Sequence, residues 1–138
     1  MRTRFIGRRD RVPESLLAQM ERLETETAAK DTLLLWIAFD YGGRAEIVDA
    51  VRRLVQDGVE PDRIDEDALA ARLYAPDLPD PDLLIRTSGE LRLSNFFLWQ
   101  LAYAELVFTD TLWPDFGDAE LRQAIADYAS RRRRFGGR

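Results

Sequence analysis

An α/β fold, mostly a parallel sheet flanked by helices, is predicted by three features of this 138-residue sequence. Stretches of β-type and helical periodicity alternate from end to end. The run Thr32-Leu33-Leu34-Leu35-Trp36-Ile37-Ala38-Phe39 is apolar almost without interruption, as a strand buried on both faces must be. No linker, repeat or low-complexity segment divides the chain, so residues 1–138 are expected to form a single domain.

Element by element, residues 3–6 read as a short strand closed by Gly7. Pro13-Glu14-Ser15 opens a helix whose apolar positions Leu16, Leu17, Met20 and Leu23 follow helical spacing, with Pro tolerated where the N–H would be unpaired anyway. The apolar strand over residues 32–39 is broken by Gly42-Gly43. Residues 44–56 resume helical periodicity through Ile47, Val48, Val51, Leu54 and Val55, with Gly58 as the stop. Asp65 is placed to cap a short helix through Leu73. Pro76, Pro79 and Pro81 keep the next connection extended, and Leu83-Leu84-Ile85 is a third strand ending at Arg86. After a polar loop, residues 95–106 are predicted helical, Val107-Phe108 a fourth strand, and residues 118–134 a final amphipathic helix.

Composition narrows the chemistry. The chain has no Cys and no His, which excludes disulfides, thiolate nucleophiles, His-based triads and zinc sites built on these ligands. A metal would have to be a hard cation on oxygen ligands, Mg²⁺ being the natural candidate. No apolar run reaches the roughly 18–20 residues of a membrane span, and residues 1–5 lack a signal-peptide core, so a soluble, cytoplasmic protein is expected. The net charge of −5 conceals basic ends around an acidic middle. Of the 20 basic residues all but Lys30 are Arg, the side chain that forks onto phosphate or carboxylate.

Ligands of parallel sheets bind beyond the carboxyl ends of strands, where loops and helix N-termini gather. Two polar segments fall there: Asp40-Tyr41-Gly42-Gly43-Arg44, and the denser Arg86-Thr87-Ser88-Gly89-Glu90-Leu91-Arg92-Leu93-Ser94-Asn95. Two Arg, several hydroxyls and a Gly supply what a diphosphate needs, although a solvated turn with Ser94 as an N-cap would read similarly. Glu105, on an otherwise apolar stretch, is either a solvent-facing charge or a carboxylate for Mg²⁺ on a phosphate. The aromatic residues Phe96, Phe97, Trp99, Tyr103, Phe108 and Trp113 suit a core and also allow a subunit interface. The C-terminal Arg131-Arg132-Arg133-Arg134 run fits a solvated helix end or a nucleic-acid patch equally well.

These segments resemble the cis-prenyltransferase family, which includes the undecaprenyl diphosphate synthases. The resemblance is carried by Asp82-Leu83-Leu84-Ile85-Arg86-Thr87-Ser88-Gly89-Glu90, Arg92-Leu93-Ser94-Asn95-Phe96, Leu98-Trp99-Gln100, Ala102-Tyr103-Ala104-Glu105 and Leu112-Trp113-Pro114-Asp115-Phe116. Tyr41-Gly42-Gly43-Arg44 and Arg133-Arg134-Phe135-Gly136-Gly137 add to it. The resemblance implies an undecaprenyl diphosphate synthase-like fold, incomplete at its N-terminus, in an enzyme that condenses isopentenyl diphosphate onto an allylic diphosphate with Mg²⁺. It also implies a homodimer, no nucleic-acid partner, and a peripheral membrane contact through the lipid product. Carried over position by position, Arg86, Arg92, Leu93 and Ser94 are expected to bind the isopentenyl diphosphate and Glu105 to serve the metal. Arg134-Phe135-Gly136 is expected to reach a partner subunit's site.

The family's Asp-Gly-Asn-Arg-Arg motif, which binds the allylic diphosphate, is absent from these residues. No catalytic residue is therefore assigned here, and the chain alone is expected to be inactive or nearly so. Leu91 replaces a His found in some members, and Asp40 replaces the usual Asn before Tyr41. The alternative implied by the same resemblance is a non-catalytic partner subunit of a heteromeric cis-prenyltransferase.

Overall fold

A computed structural model describes residues 1–131. The chain, expected as one domain, divides into two compact units, Met1–Leu78 and Pro79–Arg138. All four expected strands are present, hydrogen-bonded as two parallel pairs.

In the first unit, β1 (Arg2–Ile6) pairs with β2 (Leu34–Ala38) in the register Arg2↔Leu34 to Ile6↔Ala38. Parallel strands need a crossover, and α1 (Glu14–Thr27) supplies it, starting directly after Pro13 without a side-chain cap. The outer edge of β1 is closed by side chains of this helix. Thr27 Oγ1 accepts the Thr3 N–H at 3.0 Å and Glu24 Oε1 accepts the Phe5 N–H at 2.9 Å, so these edge donors are satisfied and pairing with a stray strand is blocked. Gly7 ends β1 with φ 133°; a Cβ there would stand 2.0 Å from the Phe39 carbonyl oxygen.

Helix α2 (Gly43–Gln56) begins one residue earlier than its periodicity suggests and ends as its Gly58 predicts. Gly58 is left-handed, its N–H donates to Val55 O, and the Val59 N–H donates to Leu54 O, the paired bonds of a Schellman ending. Asp65 caps α3 (Glu66–Ala70) through the Ala68 N–H at 2.8 Å, and the helix stops three residues short of Leu73. The buried residues Glu46, Ala50 and Leu54 repeat every four positions along α2; with Ile6, Met20 and Leu73 they make the core of this unit.

One expectation fails here. Strand β2 has the composition of a strand buried on both faces, yet Leu34 within it and Leu33 and Phe39 at its ends are 41–57% exposed. Among the described residues β2 is hydrogen-bonded to β1 alone, so apolar side chains suited to a sandwiched strand meet solvent.

In the second unit, β3 (Leu83–Arg86) pairs with β4 (Glu105–Phe108), Leu83 opposite Glu105 and Arg86 opposite Phe108. The helix expected over residues 95–106 is not formed. Ser94, Asn95 and Phe97 have positive φ, and the segment closes mainly by i→i−3 bonds such as Ala102 N to Trp99 O and Ala104 N to Leu101 O. Left-handed residues cannot propagate an α-helix. The apolar side chains are used in packing instead, with Phe97, Leu101 and Val107 buried. Helix α4 (Asp118–Ser130) starts where the Glu120 carboxylate folds back onto the Gly117 N–H at 2.9 Å. It ends before Arg131; the expected tail Arg134-Phe135-Gly136 lies outside the described residues. Among the described residues no helix is long and apolar enough to cross a membrane.

Candidate functional site

The connection from β3 to β4 starts at Arg86, the last residue of its strand. Ser88 and Gly89 both adopt left-handed backbone, with φ of 69° and 67°. Their N–H groups donate to Thr111 O and Thr109 O at 2.9 Å each, which ties the turn to the end of β4. The left-handed backbone favours Gly at 89, and a Cβ there would press on Asp110 Oδ1 at 3.0 Å, a side-chain atom able to move aside. Further along, Ser94, Asn95 and Phe97 are also left-handed. Such residues cost on the order of 1 kcal/mol apiece and persist only where neighbours over-determine the backbone, a pattern that concentrates at functional sites.

This turn encloses a cavity of about 320 Å³ whose lining includes Arg86, Thr87, Ser88, Glu90, Leu93 and Phe96. Arg86 is half-buried and its guanidinium meets no carboxylate and no hydrogen-bond acceptor among the described residues. A cation held in a partly desolvated cavity without a counter-ion invites an anion from outside. Arg92 stands differently: it is ion-paired with Glu90, its side chain 66% exposed and that of Glu90 34%. Ser94 follows Leu93 in the loop but does not line the cavity.

Glu105 is not brought to this cavity by the strand register. It opens β4 opposite Leu83, whereas Arg86 stands opposite Phe108, three residues or about 10 Å along the pair. Its Oε2 accepts a hydrogen bond from Arg131 Nη1 at 2.8 Å, and the same nitrogen donates to Leu106 O at 2.9 Å. No group of three His, Cys, Asp or Glu side chains converges among the described residues. Mg²⁺ demands near-octahedral oxygen ligands, and one carboxylate already engaged by an Arg does not meet that demand.

The first unit carries the second polar segment and the larger cavity. The Tyr41 hydroxyl donates to Glu46 Oε2, and the Tyr74 N–H donates to Glu46 Oε1 at 2.9 Å. Glu46 is fully buried and holds the strand-to-helix turn at Tyr41-Gly42-Gly43 against the Leu73-Tyr74 segment. Sequence reasoning misses this role, although a carboxylate in register with Ala50 and Leu54 on the inner face of α2 is the available signal. Asp40 has φ 46°, a left-handed conformation that Asp tolerates better than most residues.

The cavity of about 750 Å³ in this unit is bordered by Arg4, Arg8, Arg9, Trp36, Arg53 and Tyr74. Most of its cations are already answered. Arg4 pairs with Asp77 and lies over the Trp36 ring, Arg8 pairs with Asp10, and Arg9 with Glu24. The Arg8 hydrogen bond holds the Asp10 carboxyl below its ordinary range. Burial would raise the Glu24 carboxyl, but the Arg9 guanidinium and the Phe5 N–H bring it below its ordinary value. The smaller cavity is lined by Arg86, a guanidinium that has no acceptor among the described residues.

Comparison with known proteins identifies the family. The family described as "Putative undecaprenyl diphosphate synthase" matches residues 1–136. An isoprenyl transferase of Fusobacterium nucleatum is 56% identical over 131 residues, covering 95% of this chain and 56% of that protein. A (2E,6E)-farnesyl-diphosphate-specific ditrans,polycis-undecaprenyl-diphosphate synthase of Xylella fastidiosa is 49% identical over 140 residues, covering 99% of this chain and 55% of its own length. The crystal structure of lavandulyl diphosphate synthase from Lavandula x intermedia, in complex with dimethylallyl diphosphate, superimposes with a TM-score of 0.93 at 42% identity, covering 99% of this chain and 60% of that one. The chain thus spans a little over half the length of the relatives it matches. With the parallel strand pairs and the Arg86 loop in place, this places the chain in the undecaprenyl diphosphate synthase family of prenyltransferases.

Proposed function

We propose that this chain is the C-terminal part of a cis-prenyltransferase domain and supplies its isopentenyl diphosphate cradle. In the complete synthase that substrate is condensed onto an allylic diphosphate to extend a cis-polyprenyl diphosphate. The observation that carries this reading is Arg86, a guanidinium at a strand end with no acceptor among the described residues, beside a cavity built by a strained and hydrogen-bonded turn. Arg86 anchors the diphosphate, Arg92 closes on it from the rim, and Leu93 and Ser94 complete the cradle. These residues bind and orient the substrate; ionisation of the allylic partner is assigned to groups outside this sequence, so the chain by itself binds without turnover.

Mg²⁺ belongs to the complete site in this reading; Glu105 would serve it there on release from Arg131, with the remaining oxygen ligands supplied by the substrate and by groups outside this sequence. A homodimer is supported by the exposed Tyr103, Leu112 and Trp113 of the second unit, an apolar set that a subunit contact would cover. The complete protein is read as cytoplasmic, touching the membrane through its lipid product, with no nucleic-acid partner.

The test is calorimetric titration of isopentenyl diphosphate into this chain and its Arg86→Ala variant. Loss of charge-assisted hydrogen bonds is expected to weaken binding about 10- to 100-fold. Equal affinity of the two chains would overturn the assignment. A chain that binds no diphosphate yet stimulates a separate complete synthase would instead be a non-catalytic partner subunit.

A further inference from the structure

A carboxylate inside an anion cradle calls for an explanation, and Glu90 is one. It lines the cavity with Arg86, on the turn that Ser88 and Gly89 fasten to Thr111 O and Thr109 O. Its Oε2 is buried and has no hydrogen-bond partner among the described residues; its charged neighbour is the guanidinium of Arg92. An ion pair on a loop with an exposed Arg contributes little to stability, so the fold does not require it. A fixed negative charge facing the cavity opposes the ligand: it offsets Arg86, the cation that lines the cavity, and ties up Arg92, which does not line it but stands within ion-pair reach of Glu90.

We infer that Glu90 is a built-in counter-ion that holds Arg92 in the empty cradle and releases it to the incoming diphosphate, so that binding proceeds by ion-pair exchange and Glu90 sets its affinity. This rests on the reading of the cavity as a diphosphate cradle. The two side chains differ in the way exchange requires. Arg92 is mostly exposed and long enough to swing, while Glu90 is two-thirds covered and carried by a braced turn. A site refilled for each unit added gains from a weakened hold on the ground state.

The experiment titrates inorganic diphosphate into the parent chain and the Glu90→Gln, Glu90→Asp and Arg86→Ala variants, at low and high salt, with thermal melts to verify folding. Glu90→Gln removes the competing charge and is expected to bind about tenfold tighter at low salt, the gain shrinking as salt screens it. Glu90→Asp, which withdraws the carboxylate by one methylene, is expected to fall between, and it decides the matter if the Gln variant does not fold. Unchanged or weaker binding by a folded Glu90 variant, while Arg86→Ala loses affinity, would overturn the exchange and leave the cradle standing. No binding by the parent, or no loss in Arg86→Ala, would remove the cradle and the exchange together.

Discussion

Replacing Gly7 by Ala is expected to cost the β1–β2 pair about 3–5 kcal/mol, a sum that follows from its surroundings. Its φ of 133° lies where a residue bearing a side chain is strained by about 1–3 kcal/mol. The added Cβ would also sit 2.0 Å from Phe39 O and 3.0 Å from Phe39 C. Both are backbone atoms, so no rotamer change relieves the contact and the strand ends must separate. Separation releases the Phe39 N–H to Ile6 O bond of 2.9 Å and the Arg8 N–H to Asp40 O bond of 3.3 Å, at about 1 kcal/mol each. Gly58 is the internal control: its φ is also positive, at 66°, but a Cβ there would have no atom within 4 Å, and Ala should cost only about 1 kcal/mol. Urea unfolding of both variants, followed by amide hydrogen exchange over residues 33–39, measures the two costs. Equal costs, or a Gly7→Ala penalty below about 1 kcal/mol, would refute the steric reasoning.

Two pH effects follow from polar contacts in the first unit. Glu24 has a folded pKa below its ordinary 4.5, so its stabilisation is present above that value and is lost as pH falls through the folded pKa. Glu24→Gln should therefore flatten the acid limb of a stability–pH curve, and a variant as acid-sensitive as the parent would contradict the assignment. Tyr74 has its hydroxyl pushed above the ordinary 10.0 by burial, then by its hydrogen bond to Asp49. Its contribution is full below pH 10 and is lost as pH rises toward the folded pKa, so Tyr74→Phe should lessen alkaline destabilisation in chemical melts between about pH 9 and 11.

Much of this molecule is legible in one dimension because the relevant forces are local. The Schellman ending at Gly58, the Asp65 cap and the Pro13 helix start depend on residues within a turn of one another. The same holds for Arg86, which closes an apolar strand at the carboxyl end of a parallel pair. The absent helix over residues 95–106 shows the limit: its apolar content mimics helical periodicity, whereas Ser94, Asn95 and Phe97 are left-handed, a backbone state that composition does not encode. Glu46 escapes sequence reasoning for a similar reason, since its partners, Tyr41 and the Tyr74 N–H, include one 28 residues away.

By itself, the sequence determined the α/β class, the family resemblance and the identity of the cationic and hydroxyl groups around residues 86–94, because these are properties of order and spacing. Only the tertiary structure decided which of those groups are answered. Among the described residues the Arg86 guanidinium is left without a partner, Arg92 is held by Glu90, and Glu105 is engaged by Arg131, 26 residues downstream. A charge's partner is set by distance in space, and the electrostatic energy that makes a site depends on that distance rather than on position along the chain.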